Sequence, residues 1–411
     1  MHFHLLRAVA MTAALLPAFA HAASPLTLER ALDLAVQRSE ATRSARAGAL
    51  SAAESAHAAG QLPDPTLQAG IDNLPVTGAG AFKTTSDSMT MKRIGVSQEW
   101  LSSQKRAARQ AAADAVSARD DAQVQVATAD ARLQTALAYV DAFYAKEALK
   151  LTSLMEHHAH EEFKASKARV SSATGSSQDV LALASARGMA EDESEELRQQ
   201  QGEAAVALQR WIGMPVDELA SPVVSPPSTE AEFVSHLPLL AAMRRDVDVA
   251  KEAAAATASE RTPNWTWQVS YGQRTGYSDM VSVGVSIPLQ VAPAQRQDRE
   301  TASRLALVEK AEADLAEATR AASAEYEALL GDVQRLQQRM DHYRANVVVP
   351  ARQRIDVATA GYASNQVSLA TLFEARHAEV DAERKLLALQ RDLAKAQVQL
   401  AFKPLMNGGD Q

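Results

Sequence analysis

The chain has 411 residues, 46% hydrophobic but only 5% aromatic, so its core must form from Ala, Leu and Val at helical seams and not from bulky globular packing. It carries 42 Lys and Arg against 50 Asp and Glu, a formal net charge of -8, which gives no support to nucleic-acid binding. There is no cysteine, and this excludes disulfides, thiol nucleophiles, Cys-ligated zinc and a lipidated N-terminal Cys.

In chain order, Met1 to Arg7 holds a positive residue and two His, Ala8 to Phe19 is apolar, and Ala20-His21-Ala22 fits a small-x-small cleavage pattern. This predicts a secretory signal over 1–22 and a mature chain from Ala23. No other stretch reaches the about 18 uninterrupted apolar residues of a spanning helix, so entry into a membrane would have to use strands.

The first repeat, 23–214, opens with a helix from Leu26 toward Gly60, stopped by Pro63 and Pro65. Strands follow at about 65–73 and 87–98. In the first, Leu67, Ala69 and Ile71 alternate with Gln68, Gly70 and Asp72; in the second, Met89 and Met91 take one face and Ile94 and Val96 the other, which predicts a bulge near Lys92-Arg93. No Gly or Pro occurs between Gly95 and Gly175, so one helix is expected from Leu101 to Ala173. Leu133, Leu137, Val140, Tyr144, Leu151 and Leu154 give it coiled-coil spacing. A tip near 175 turns the chain back, and the returning helix ends at Trp211-Ile212-Gly213-Met214-Pro215.

A linker, 215–238, leads to the second repeat, 239–405, with a short tail at 406–411. A helix runs to Pro263, and two strands of strict alternation follow at about 264–272 and 280–290. Trp265, Trp267, Val269 and Tyr271 share one face, as do Val281, Val283, Val285, Ile287 and Leu289; the opposite face is small and polar. A long helix from Ala294 to about Ala360 should kink or locally unwind at Pro350. The second tip falls near 363, and Leu369 to Phe402 returns.

The two repeats align residue by residue. Leu67, Ala69 and Ile71 stand 200 before Trp267, Val269 and Tyr271; Gly95-Val96-Ser97 stands 189 before Gly284-Val285-Ser286, and Arg187 stands 189 before Arg376. Arg106 and Arg109 match Arg296 and Arg299 at 190, a slip of one. The fold class expected is mainly α with a small β part, built from a duplicated helix-strand-strand-helix-helix unit. Two hairpins alone cannot close a barrel around water, and open sheet edges are not tolerated in lipid, so oligomerisation is required.

Nearly all of the mature chain resembles the TolC-like outer-membrane factor family. Gly95-Val96-Ser97-Gln98 and Gly284-Val285-Ser286-Ile287-Pro288-Leu289 look like its strand ends, Gln178-Asp179-Val180-Leu181 like its post-tip motif, and Leu208-Gln209-Arg210-Trp211-Ile212-Gly213 like the end of its first repeat. Pro63-Asp64-Pro65, Gly70-Ile71-Asp72-Asn73-Leu74-Pro75-Val76, Met89-Thr90-Met91 and Gln98-Glu99 are similar to the branch serving cobalt-zinc-cadmium efflux. The resemblance implies a homotrimer with a 12-stranded β-barrel in outer-membrane lipid and a long α-helical barrel in the periplasm. It also implies docking on a periplasmic adaptor, a membrane fusion protein, and an inner-membrane RND-type pump.

Candidate sites follow. Met155, His157, His158, His160, Glu161 and Glu162 form the one His-rich cluster; His157, His160 and Glu161 are the metal-ligand candidates, against the plainer reading of a solvated helical face. Pore-constriction candidates are Asp179, just after the first tip, and Glu374 after the second, where threefold symmetry would make cation-favouring rings. The second tip departs from the family pattern, since Ser368, Leu369, Ala370 and Thr371 contain no carboxylate, and a helix cap is the alternative role for Asp179. Trp265, Trp267, Tyr271 and Tyr277 suit an interfacial aromatic belt. Glu191 to Glu196 holds five acids in six residues, usually a solvated face.

No phosphate loop, HExxH pair or GxSxG elbow is present, so no enzyme and no cofactor are expected. The expectation is a passive export duct, its cargo heavy-metal cations; the alternatives are a multidrug or protein secretion duct of the same family, or a soluble periplasmic coiled-coil scaffold.

Overall fold

The computed structural model describes residues 25–172, 175–224 and 229–404. The predicted signal segment and C-terminal tail lie outside them. Where one helix was expected from Leu26 to Gly60, two form, α1 (Leu28–Arg38) and α2 (Glu40–Ala59). Ser39 breaks them because its backbone is extended and its Oγ accepts from the Thr42 N–H at 3.1 Å, capping α2.

The sheet comprises β1 (Thr66–Asp72), β2 (Met91–Trp100), β3 (Trp265–Gln273) and β4 (Met280–Ser286), antiparallel in the order β1-β2-β3-β4. Its register pairs Leu67 with Val96, Ile94 with Tyr271, and Trp267 with Val285. Pairing runs unbroken through Lys92 and Arg93, so the expected bulge is absent. Met89 precedes the strand, and Met91 simply shares the polar face with Arg93 and Gly95. β4 ends before the predicted 290, as Pro288 has no N–H to donate.

From β2 the chain enters α3 (Ser103–Ser171), 69 residues and about 100 Å long. The antiparallel α4 (Ser177–Ile212) returns and stops at Gly213, whose φ of +78° is the left-handed conformation glycine accepts most readily. The described parts of the expected linker pack against the helices. Leu26 bridges Leu219, the Tyr139 hydroxyl lies 2.6 Å from the Leu26 carbonyl and 2.7 Å from that of Ala220, and α5 (Glu230–Ser235) buries Phe233 against Tyr326 and Leu400. Burial raises the Tyr139 pKa to about 12, so it stays a donor at every physiological pH.

In the second repeat α6 (Pro238–Ser259) leads to β3, and α7 (Gln297–Tyr343), α8 (Val349–Ala363) and α9 (Leu369–Phe402) follow β4. Between α7 and α8, Arg344–Val348 widens into a π turn. Pro350 brings no N–H and its ring would strike the carbonyl four residues back, so the helix unwinds locally as expected. The Asn346 side chain donates to the His342 carbonyl at 3.0 Å there.

Leu133, Leu137, Val140 and Tyr144 lie in the seam that α3 shares with α1, α4 and α9. Leu154 does not: it is exposed, and Met155 is buried in its place. A straight helix at 3.6 residues per turn drifts off a 3.5 repeat, which moves the seam by one position here. No described helix is long and apolar enough to cross a membrane.

Candidate functional site

The sheet sorts its side chains by face. On one side stand Leu67, Ile71, Ile94, Val96, Trp265, Val269, Tyr271, Val281, Val283 and Val285, all exposed, Val283 at 74%. The register puts them side by side across all four strands. On the other side are Gln68, Gly70, Ser97, Gln268, Ser270, Ser282 and Ser286, with the Asp72–Arg93 ion pair at 3.1 Å. Gly95 faces Ser270 there, and a Cβ at that position would come within 2.6 Å of the Ser270 Cβ, so only glycine fits.

Trp265 packs on Trp100 with ring centroids 6.0 Å apart, at the end where strands meet helices. Trp267 lies alongside, partly buried; Tyr271 and Tyr277 are exposed toward the opposite end, near the β3–β4 turn. The four predicted belt residues therefore divide between the two ends of the sheet, with Trp265 and Trp267 at one and Tyr271 and Tyr277 at the other.

A buried cation locks the junction beneath Trp265. Lys105, 2% exposed, donates to Glu260 at 2.9 Å, to the Thr262 carbonyl at 2.7 Å and to Asn264 at 2.7 Å, while Arg109 reaches the second Glu260 oxygen at 2.8 Å. Burial pushes the Glu260 carboxyl up, but hydrogen bonds from Lys105 and Arg109 outweigh it and hold it below the usual range. Asn264 in turn donates to Glu99 at 2.7 Å. Nothing in the sequence singled out Lys105, since its partners lie 155 or more residues away.

At the other end of the molecule the tips meet. Asp179 stands in the first turn of α4 and lines a cleft of 290 Å³ with Arg169, Ser176, Asn365 and Ser368. It is not the helix cap; Ser176 takes that role, its Oγ accepting from the Gln178 N–H at 3.1 Å. Glu374 is exposed on α9 and lies outside that cleft, so within one chain the two candidates do not come together. Arg169 donates to the Tyr362 hydroxyl at 2.9 Å, joining the first hairpin to the second.

In the His-rich cluster, His157, His160 and Glu161 are all exposed on α3, and no described group of three or more His, Cys, Asp or Glu could hold a metal ion. Its buried acid, Glu162, is turned the other way and is paired with Arg376 of α9. Burial drives the Glu162 carboxyl up, against the pull of Arg376.

No family model matches the chain, and no curated protein does. Solved structures match over nearly its whole length. The outer membrane protein VceC of Vibrio cholerae superposes with a TM-score of 0.74 at 17% identity, over 92% of this chain and 96% of that one. The Campylobacter jejuni CmeC outer membrane channel gives 0.76 at 12% identity over 93% and 87%. CusC, described for its transmembrane channel formation, gives 0.75 at 12% over 91% of each chain. The fold is thus that of these three structures: mainly α, with a small antiparallel sheet at one end of long helical hairpins.

Proposed function

We propose that this chain is the outer-membrane channel of a tripartite export system. Three copies would close their four-stranded sheets into a 12-stranded barrel, wider than the side-chain-filled eight-stranded barrels and narrower than sixteen-stranded porins. The observation that carries this is the exposed apolar face of the sheet, set back to back with a small polar one: lipid outside and water inside require that alternation. The outer edges of β1 and β4 support the same reading: the two strands run in opposite directions, so β4 of one copy can pair antiparallel with β1 of the next around a closed ring.

The duct is passive, and its energy comes from an inner-membrane RND-type pump reached through a periplasmic adaptor. Trp265, Trp267, Tyr271 and Tyr277 act as interface anchors, and Asp179, with Glu374 farther along α9, sets the charge at the periplasmic mouth. Heavy-metal cations are the cargo, on the sequence resemblance of the Pro63-Asp64-Pro65 and Gly70–Val76 segments. Fractionation of the expressed protein, with gels of heated and unheated detergent extracts, tests the duct. Recovery from the outer membrane as a heat-dissociable trimer is expected; recovery as a soluble periplasmic species would replace the duct with a scaffold. Sensitivity of a deletion strain to metal salts but not to drugs tests the cargo.

A further inference from the structure

The apolar face of the sheet does not stop where its hydrogen bonds stop. β4 ends at Ser286, yet its alternation runs on through Ile287, Leu289 and Val291, and exposure rises along that row from 55% to 83% and 92%. Between them Pro288 has no N–H to give, and Gln290 reaches inward, its side-chain amide donating to the Glu260 carbonyl at 3.1 Å. The segment is therefore two-faced like a strand, but it has left the ladder. Among the described residues no backbone carbonyl answers the N–H of Leu289, Gln290 or Val291.

The first repeat shows which way this extension faces. Leu289 stands 189 after Trp100, the offset that relates the two return strands, and Trp100 is exposed opposite Trp265, with ring centroids 6.0 Å apart. The second repeat thus carries a leucine where the first carries a tryptophan on the apolar face. A neighbouring copy would not cover it. Trp265 stands 200 after Pro65, so the same register sets Leu289 level with Pro65, ahead of Thr66 where β1 begins, and a neighbour's ladder ends before it reaches the segment.

In bulk water, Leu289 and Val291 would leave nearly their whole side chains hydrated. In hydrocarbon, the unanswered N–H groups would have no acceptor. Both needs are met where acyl chains give way to wet headgroups. We propose that residues 287–291 form a lipid-contacting foot, lying in the boundary between acyl chains and headgroups of the leaflet nearest the helices. Arg261 and Arg296, their side chains 66% and 78% exposed, mark the phosphate level beyond it; their ion pairs to Asp298 and Glu300 are both long, at 3.7 Å. The proposal rests on the duct reading above and adds where the membrane ends, which is past the last paired residue of the sheet.

The test uses the full chain in liposomes of phosphatidylethanolamine and phosphatidylglycerol. Because the chain has no cysteine, each label site needs one substitution only. Nitroxides on Val283→Cys, Leu289→Cys, Val291→Cys and Arg296→Cys are read for collision with oxygen, which enters acyl chains, and with a nickel chelate, which stays in water. The oxygen-to-nickel ratio should be highest at 283, intermediate at 289 and 291, and several-fold lower at 296. Leu289 and Val291 are exposed in the single chain, so their replacement removes no packing. Labels at 289 and 291 that read like the one at 296, or that are shielded from both reagents by a neighbouring copy, would overturn the foot while the reading at 283 leaves the duct intact. A water-like reading at 283 as well would overturn the duct, and the foot with it.

Discussion

Lys105 illustrates what a single residue does at the joint between sheet and helices. Its ammonium is 2% exposed and holds three oxygens from the segment that carries the chain from α6 into β3. Lys105→Met should lower stability by about 3 kcal/mol, because removing one partner leaves the others buried without a charge to answer them; the denaturant midpoint of the solubilised protein measures this. Glu260 has its pKa depressed, so its contribution is present above the ordinary carboxylate range and lost as the pH falls through the folded value. The parent should therefore lose stability on acidification more steeply than Glu260→Gln. At this scale little was legible beforehand. No local pattern sets Lys105 apart from the other lysines on helices, and only tertiary contact across more than 150 residues made it a buried centre.

Elements were easier to read, and their errors have local causes. The alternation of β3 and β4 set both faces of the sheet, because a period of two leaves no freedom once one face is apolar. If the sheet faces lipid as proposed, Val283→Lys should weaken the protein in the membrane by about 2 to 4 kcal/mol. Ser282→Lys, one residue away on the polar face, should be tolerated; unfolding from lipid vesicles separates the two. The break at Ser39 was missed because a serine inside an Ala-rich run has the same composition whether it caps or continues a helix. Local unwinding at Pro350 was anticipated, since the loss of an N–H is a property of the residue itself, but its form as a π turn was not. The bulge at Lys92-Arg93 was an over-reading of Met89, which lies outside the strand.

For the molecule as a whole, α3 alone sets a length of about 100 Å. Small-angle scattering of the solubilised protein should give a maximum dimension above that value; a compact particle would contradict the extended hairpins. The absence of Gly and Pro from a span of 79 residues, 96 to 174, was the ground for expecting this shape. By itself the sequence determined the duplication, the two-faced strands, the long hairpins and their order, because these follow from periodicity and from residues that cannot continue a helix. Tertiary structure alone decided which charges meet. Glu162 left the His cluster for Arg376, Asp179 entered the tip cleft without Glu374, and Lys105 became the buried junction. Such pairings depend on how helices drift and turn over many residues, and no local pattern encodes that rotation.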